Sequence, residues 1–247
     1  GRNIMKSNVK SWILFLLSVF VLWQILAMTI HNPFIMPYPY EVILTMISFL
    51  TSLNFYKAIG ISFLRIFISV CLSFLLAFVL SYASLRFNFI RSWTEKMMVI
   101  IRTVPNVVLI VLFLFWFSRE VVTFLVSFLL LCPIIYESVF RGLLDIEREW
   151  KDVLMMFKQP FMTKFKYVHL TLLKTTVISS LVVACSMGFK VGIMAEILGQ
   201  VPLGIGRQIQ LAKLDVNLTV VLAWAIWIVL FVFILNALLK IVERRIS

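Results

Sequence analysis

Long, nearly continuous apolar stretches alternate with short polar segments along this sequence. A bilayer core about 30 Å thick is crossed by a helix of about 20 apolar residues. The stretches are too long and too continuous for transmembrane strands, in which apolar and polar residues alternate. The pattern therefore predicts an all-α integral membrane protein with six spans, at about residues 12–30, 59–83, 97–117, 121–140, 176–197 and 217–239.

The composition agrees with this prediction. Of the 247 residues, 62% are hydrophobic and 14% are charged, whereas an ordinary soluble domain has about 45–50% apolar and about 25% charged residues. This excess excludes a soluble enzyme, a disordered chain and a small disulfide-linked domain. Cys71, Cys132 and Cys185 lie inside apolar stretches without a metal-binding spacing, so we interpret them as buried small hydrophobic residues.

The basic residues predict the orientation of the spans. The chain has 23 Lys and Arg against 11 Asp and Glu, a net charge of +12. With a cytoplasmic N-terminus, 16 of the 23 fall on the cytoplasmic side and 4 outside, as the positive-inside rule requires. We therefore expect a cytoplasmic segment at residues 1–11, a single transmembrane domain at 12–245 and both termini inside. Nucleic-acid binding is not expected, because it needs a basic face on a water-soluble body.

Two polar segments show helical periodicity outside the spans. In the external link, three prolines within residues 31–40 precede apolar residues at spacings of three and four over 41–54, which predicts a short helix. The cytoplasmic loop 141–175 has such a pattern before and after Pro160, and we interpret it as helix, break and helix. Its apolar stripes could lie on the membrane surface, but the acidic residues between them favour docking to a cytoplasmic partner.

Ionisable side chains inside a span cost several kcal/mol unless they are paired or hydrated, so each is a functional candidate. Arg65 lies near the outer end of its span, where we expect it to snorkel. Arg102 precedes a helix kink expected at Pro105, and Lys190 lies in the middle of the fifth span, which Glu196 ends. Lys190 is either exposed to a polar cavity or part of a structural ion pair.

Small residues recur at an interval of four along the fifth span, at Ser180, Ala184, Gly188 and Gly192. Such a stripe allows a second helix backbone to approach closely, because no bulky side chain separates the two helices. The sequence predicts this approach either within the chain or across a dimer axis.

Catalytic chemistry is missing from the sequence. None of the eight glycines begins a GxxxxGK[ST] phosphate-binding loop, and there is no HExxH or GxSxG pattern. Two isolated histidines predict no metal site. Active transport by this chain would therefore need an energy-converting partner.

Several stretches resemble the permease subunit of a type I ATP-binding-cassette (ABC) importer, in the sulfonate/nitrate/taurine branch of binding-protein-dependent permeases. Met36–Ile43 is similar to the branch's Leu-Pro-Ser-Pro-x-x-Val, and Ile101–Phe117 is similar to its third helix. Ala195–Gly199 followed by Gly204–Gly206 resembles Ala-Glu-Met-Leu-Gly…Gly-Leu-Gly, and the ending Ile241–Arg245 also fits. With the loop at 141–175, the resemblance extends over about residues 36–245.

The resemblance implies a six-helix type I permease bundle that works by alternating access. In this family the loop before the fifth span holds a coupling helix with a Glu-Ala-Ala…Gly signature, which docks in a groove of the ATPase. Asp152–Leu154 match Glu-Ala-Ala, and Lys158 matches the glycine. We assign ATPase coupling to Trp150, Asp152, Val153, Leu154, Phe157, Lys158 and Phe161, and the translocation pathway to Arg102, Gly188, Lys190, Gly192 and Glu196.

The resemblance also implies the partners. A second permease chain completes the pathway as a homodimer, two cytoplasmic ABC ATPases dock on the coupling helices, and an external binding protein delivers the substrate. No cofactor is expected in this chain, because ATP and Mg²⁺ would be bound by the partner ATPase. The expected location is the bacterial cytoplasmic membrane. The substrate would be a small organic anion of the sulfonate, taurine or nitrate type, or a vitamin precursor.

Three other functions stay open on the sequence. The coupling subunit of an energy-coupling-factor vitamin importer would also be basic and dock ATPases, but its Ala-Arg-Gly type motif is missing from residues 141–175. An ion-coupled secondary carrier using Lys190 and Glu196 would run without ATP. A membrane-embedded enzyme would need His, Asp or Glu residues clustered at one depth, and the sequence does not predict such a cluster.

Overall fold

The computed structural model describes residues 2–150, 156, 163 and 165–246, and this part of the chain is helical without a strand. A π-helical turn, Phe165–His169, and a short turn, Leu170–Leu172, follow the sixth helix. The helices are α1 (Arg2–Ile30), α2 (Pro39–Phe49), α3 (Leu53–Arg86), α4 (Asn88–Thr103), α5 (Asn106–Leu114), α6 (Arg119–Glu149), α7 (Lys174–Gly199), α8 (Ile205–Leu214) and α9 (Leu218–Ile246).

The expectation of an all-α membrane protein is confirmed. By length and composition, four helices of the described chain are suited to cross a membrane, namely Leu53–Arg86, Arg119–Glu149, Lys174–Gly199 and Leu218–Ile241. The bent pair α4–α5 adds a fifth if it counts as one span. The first predicted span lies in α1, whose apolar part, Leu14–Ile30, falls in the shorter class of 10–17 residues. A sixth crossing by α1 therefore stays a prediction.

The predicted kink at Pro105 is a full break between two helices. α4 ends at Thr103, α5 begins at Asn106, and their axes differ by 91°. Val104 has an extended backbone with φ −72° and ψ 125°, because the proline ring disfavours the helical conformation of the residue before it. Arg102 is thereby placed in the last turn of a helix rather than in the middle of one.

α3 and α6 run parallel in a fixed register. Three serine hydroxyls of α3 donate to carbonyls of α6 over 2.8–3.4 Å, from Ser69 to Phe124, from Ser73 to Phe128 and from Ser81 to Tyr136. Each pair is 55 residues apart in sequence. Two parallel helices need a connection that returns the chain to the level at which the first began. The α4–α5 pair is therefore a broken span rather than a re-entrant loop.

The chain divides into two compact units, residues 1–57 with 208–229 and residues 58–207 with 230–247. Within the first unit, an aromatic cluster joins the end of α2, the start of α3 and α9. The ring of Phe55 lies 5.2 Å from those of Trp224 and Trp227. The predicted helix in the link after α1 is confirmed as α2. Just before α2, the carbonyl of Pro37 accepts a hydrogen bond of 3.1 Å from the Trp23 indole.

The second unit is built around α6. Half of the most apolar stretch of α6 is buried, whereas only 11% of the corresponding stretch of Leu218–Ile241 is buried. α6 continues through the first part of the predicted loop as far as Glu149, because the apolar stripe of that segment extends the buried face to Leu143 and Ile146. The span predicted at residues 121–140 is therefore one part of a longer helix.

α7 packs against α3 through the predicted small-residue stripe. Ser180, Ala184, Gly188 and Gly192 are all buried. A Cβ atom on Gly192 would lie 2.7 Å from Cγ1 of Ile66, and one on Gly188 would lie 3.2 Å from Cγ2 of the same residue. The close approach is therefore made within the chain.

We expect Gly192→Ala to lower the free energy of unfolding by about 1–3 kcal/mol, because the added methyl group overpacks the contact with Ile66. Thermal unfolding of the detergent-solubilised chain measures the change. Gly60→Ala is the matched control, since no atom lies within 4 Å of its Cβ position. Equal melting temperatures for the two variants would contradict the close packing of Gly192 against Ile66.

Candidate functional site

A cleft of ≈ 640 Å³ lies beside α6 and α7 and reaches the break between α4 and α5. Its lining residues repeat at helical spacing on each long helix, so one face of each is exposed to the same space. They are Leu130, Ile134, Glu137, Ser138 and Arg141 of α6, Met187, Lys190, Val191 and Met194 of α7, and Arg102 and Asn106 on either side of the break. The cleft therefore combines five apolar side chains with three cations and one carboxylate.

Two arginines of the cleft share the carboxylate of Glu137. Arg102 pairs with one oxygen, and Arg141, one turn further along α6, pairs with the other. Arg102 also donates from Nη2 to the carbonyl of Pro133 at 2.7 Å. The side chains of Arg102 and Glu137 are 42% and 38% exposed, so this Arg102–Glu137–Arg141 bridge lies open to the cleft rather than in the protein interior.

Lys190 is the third cation of the cleft. It is exposed, and no described residue forms a hydrogen bond or an ion pair with it. A charge in the middle of a span is stable only if it is paired or hydrated. Among the described residues Lys190 is therefore exposed to the cleft without an ion-pair partner, and its role in the pathway stays a prediction.

A second, smaller cleft of ≈ 320 Å³ lies between one face of α4 and α6. Arg91, Glu95, Met98 and Val99 of α4 line it, together with Tyr136, Phe140 and Leu144 of α6. It also contains all three members of the bridge. The two clefts therefore meet at the Arg102–Glu137–Arg141 bridge.

Gly188 and Gly192 do not line either cleft within the described chain. Both face α3, where the nearest side chains are those of Ile66 and Val70. These two glycines position α7, and through it Lys190, but they do not contribute surface to the cleft.

Glu196 lies in a separate, buried network. Its carboxylate is 1% exposed and accepts hydrogen bonds from the Ser62 hydroxyl at 2.8 Å, the Arg65 Nη1 at 2.7 Å and the Gly206 N–H at 2.9 Å. Arg65 also donates to both oxygens of Glu120 at 2.7 Å. The network joins the starts of α3 and α6 to the segment after α7, so Glu196 is placed to hold this end of the unit together.

The glycine pair after α7 is explained by the same network. Gly204 has φ +129°, and a Cβ there would lie 2.7 Å from a carboxylate oxygen of Glu196 and 2.9 Å from Nη1 of Arg65. A Cβ at Gly206 would collide with Cβ of Glu196. The GxG spacing is therefore needed so that the backbone can approach the carboxylate.

The sequence analysis missed this pairing and treated Arg65 as a snorkelling residue. The available signal was membrane depth. Arg65 lies near the outer end of the second predicted span, and Glu196 ends the fifth at the same predicted side. Opposite charges at one depth favour each other as partners, because both need neutralisation there.

Of the candidate coupling residues, the structure describes only Trp150, which directly follows α6. Trp150 caps the helix and is 42% exposed. Asp152, Val153, Leu154, Phe157, Lys158 and Phe161 lie outside the described residues. The structure therefore places only the start of the predicted coupling segment.

His169, which the sequence analysis also did not single out, anchors the far end of this loop. It is 1% exposed, with Nε2 3.1 Å from Oε1 of Glu147 and Nδ1 3.3 Å from the hydroxyl of Tyr82. The signal was its position on an apolar stripe, four residues after Phe165 and three before Leu172. His169 ties the return of the loop to the ends of α6 and α3.

Comparison with known proteins identifies the fold. The chain is similar to the permease subunit of the MetNI methionine ABC transporter, in a structure of its inward-facing conformations, with a TM-score of 0.66 and 16% sequence identity. The match covers 78% of this chain and 95% of that one. No protein-family model and no curated protein sequence matched. The chain therefore has the fold of an ABC importer permease.

We expect Glu196→Gln to lower the free energy of unfolding by about 1–3 kcal/mol, because an amide cannot accept all the buried hydrogen bonds that the carboxylate receives. Glu120→Gln removes the other carboxylate from the same arginine. Since the Glu120 side chain is 46% exposed, we expect about 0–1 kcal/mol for that control. Thermal unfolding in detergent compares the two variants. Losses of stability of similar size would show that Glu196 is not the structural partner of Arg65.

Proposed function

We propose that the chain is the transmembrane subunit of an ATP-driven importer and forms its translocation pathway by alternating access. The observation that carries this proposal is the cationic cleft in unit 58–207 with 230–247, within a fold like that of an ABC importer permease. A bundle built only to anchor another protein would not need an exposed Lys190 and a bridged Arg102 at one opening.

The substrate contacts in this proposal are made by Arg102 and Lys190. Both line the larger cleft, and their charges suit an anionic group. Gly188, Gly192 and Glu196, which the sequence analysis also assigned to the pathway, take positioning roles instead. The first two set the distance between α7 and α3, and Glu196 fixes the segment that follows α7.

The energy for transport would come from two cytoplasmic ABC ATPases that dock on residues 141–175. ATP and Mg²⁺ would be bound by those partners, since the sequence has no phosphate-binding loop. The exposed Trp150 at the end of α6 supports this assignment, because a large aromatic side chain is a common interface anchor. His169 would transmit movement of the loop to α3 and α6.

The remaining partners follow from the same family resemblance. A second copy of the chain would complete the pathway as a homodimer, and an external binding protein would deliver the substrate. The family resemblance supports a bacterial cytoplasmic membrane location, and the charge distribution supports both termini inside. The large apolar side chains exposed along α3, such as Leu64, Phe67 and Leu75, suit contact with lipid.

For the substrate we propose a small anion of the sulfonate, taurine or nitrate type, or a vitamin precursor. The sequence resemblance to that branch and the three cations of the cleft support this choice. MetNI, the structural neighbour, is by its name a methionine transporter, and its substrate does not carry over at 16% identity.

An ion-coupled carrier is the competing function that the geometry tests most directly. It would use Lys190 and Glu196 together, but the structure places Lys190 at the cleft and Glu196 in the buried network with Arg65. This separation weighs against the carrier. Reconstituted transport that ran on an ion gradient without an ATPase would nevertheless overturn the importer proposal.

We expect Trp150→Ala and Leu154→Asp each to reduce co-purification of the ATPase at least about tenfold, because loss of a buried interface anchor costs about 2 kcal/mol or more. Quantitative pull-down from membranes measures the effect. Trp116→Ala is the control, since Trp116 is 66% exposed and lies on the predicted outer side. Normal recovery with both loop variants would remove the coupling assignment.

We expect Lys190→Ala to lower substrate transport by the assembled importer about tenfold, because one charge-assisted contact to the anion is lost. Assembly with the ATPase should be unchanged. Lys240→Ala is the matched control, since Lys240 is exposed on α9 and does not line the cleft. The transport rate is measured in proteoliposomes. An equal rate in the Lys190→Ala and Lys240→Ala variants would contradict a role of Lys190 in the pathway.

A further inference from the structure

The carboxylate of Glu137 occupies the position at which an anionic substrate would be expected to bind. The larger cleft contains Arg102, Arg141 and Lys190, and Glu137 is the one acid among its lining residues. Its two oxygens are taken by the two arginines, while Lys190 pairs with no described residue. An incoming anion therefore finds one free cation, Lys190, and two arginines that share one counter-ion.

Arg102 can change partners without leaving a charge unpaired. Glu137 contacts Arg102 through one oxygen and Arg141 through the other. If an anion takes the place of Glu137 on Arg102, Glu137 keeps Arg141, which lies one turn away on the same helix. Neither carboxylate nor guanidinium is then left alone, so the exchange avoids the large cost of an uncompensated charge.

The exchange would also change the contact between two helices. Arg102 belongs to the last turn of α4, whereas Glu137 and Arg141 belong to α6. The bridge lines both clefts and is the set of residues that they have in common. Release of Glu137 from Arg102 removes an ionic link between α4 and α6 at the place where the two clefts meet.

We propose that Glu137 is an internal counter-ion that closes the passage between the two clefts, and that a substrate anion opens it by replacing Glu137 on Arg102. This inference rests on the proposed transport function and adds the residue that would make passage between the two clefts depend on the charge of the substrate. Lys190 attracts the anion into the cleft, Arg102 binds it, and Glu137 competes with it.

The lining of the larger cleft also indicates the form of the anion. Leu130, Ile134, Met187, Val191 and Met194 supply an apolar surface next to the cations. A bare inorganic ion would gain nothing from this surface, whereas an alkyl chain gains about 0.8 kcal/mol for each buried methylene group. The geometry therefore favours an organic anion with a short apolar body over nitrate.

The test measures binding of butanesulfonate and of nitrate to the purified chain in lipid nanodiscs, together with any ATPase that co-purifies. Equilibrium dialysis gives the dissociation constants for the wild type and for Glu137→Gln, Glu137→Asp and Glu95→Gln. Glu95 is the matched control, because it lines the smaller cleft and pairs with Arg91 at 2.9 Å rather than with the bridge.

We expect Glu137→Gln to bind butanesulfonate about tenfold more tightly than the wild type, because an ionised competitor for Arg102 is lost. Glu137→Asp, whose carboxylate has a shorter reach to Arg102, should have an intermediate affinity for butanesulfonate. This variant decides the question if Glu137→Gln does not fold. Glu95→Gln should be unchanged, and nitrate should bind more weakly than butanesulfonate throughout.

An unchanged or weaker affinity in both Glu137 variants overturns the proposal, and so does an equal gain in Glu95→Gln. Absence of butanesulfonate binding by the wild-type chain overturns it as well. Failure of the importer function has a different signature, namely that no ATPase co-purifies with the wild type. The binding comparison is made on the chain in either case, so the two failures are distinguished.

Discussion

A charged side chain in an apolar helix bundle has to be neutralised or hydrated, and the described second unit does this in two different ways. Glu196 is 1% exposed and receives hydrogen bonds from three directions, so it is held in one arrangement. Glu137 has an ion pair on each oxygen but is 38% exposed. The first network holds its charge in place, because moving the Glu196 carboxylate away from its partners would leave a charge in a dry interior. The second is in contact with an open cleft, where water or a ligand can replace a partner.

Much of the fold could be predicted from the sequence because hydrophobic periodicity is a local property. The apolar stretches gave the long helices, Pro105 gave the break, and the stripe around Leu143 and Ile146 gave a helix in the predicted loop. The size of the break did not follow, since a proline disfavours helix at its predecessor but does not set the angle of 91° between α4 and α5. The parallel direction of α3 and α6 follows from the predicted spans, but their register does not, because it depends on serine contacts between residues 55 positions apart.

The site was predictable as separate residues and not as an arrangement. Hydropathy marked Arg102 and Lys190 as unusual, but nothing local in the sequence places Arg102 against Glu137, 35 positions further along. The spacing of Gly188 and Gly192 predicted a close helix contact and left the partner helix open, which the structure identifies as α3. Glu196 was assigned to the pathway because it ends a span next to Lys190. Nothing local in the sequence identifies its partner Arg65, which is 131 positions away.

One continuous helix, α6, connects the buried network, the two clefts and the start of the cytoplasmic loop. α6 bears Glu120 near its start, Glu137 at the clefts and Glu147 opposite His169 near its end, before Trp150. A proline inside a helix removes one main-chain hydrogen bond and makes bending easier there. Pro133 lies one turn before Glu137, and Arg102 donates to its carbonyl as well as to the Glu137 carboxylate. A bend of α6 at Pro133 would therefore move both acceptors of Arg102 together. In the proposed importer, force applied at the loop end of α6 would reach the bridge through this helix.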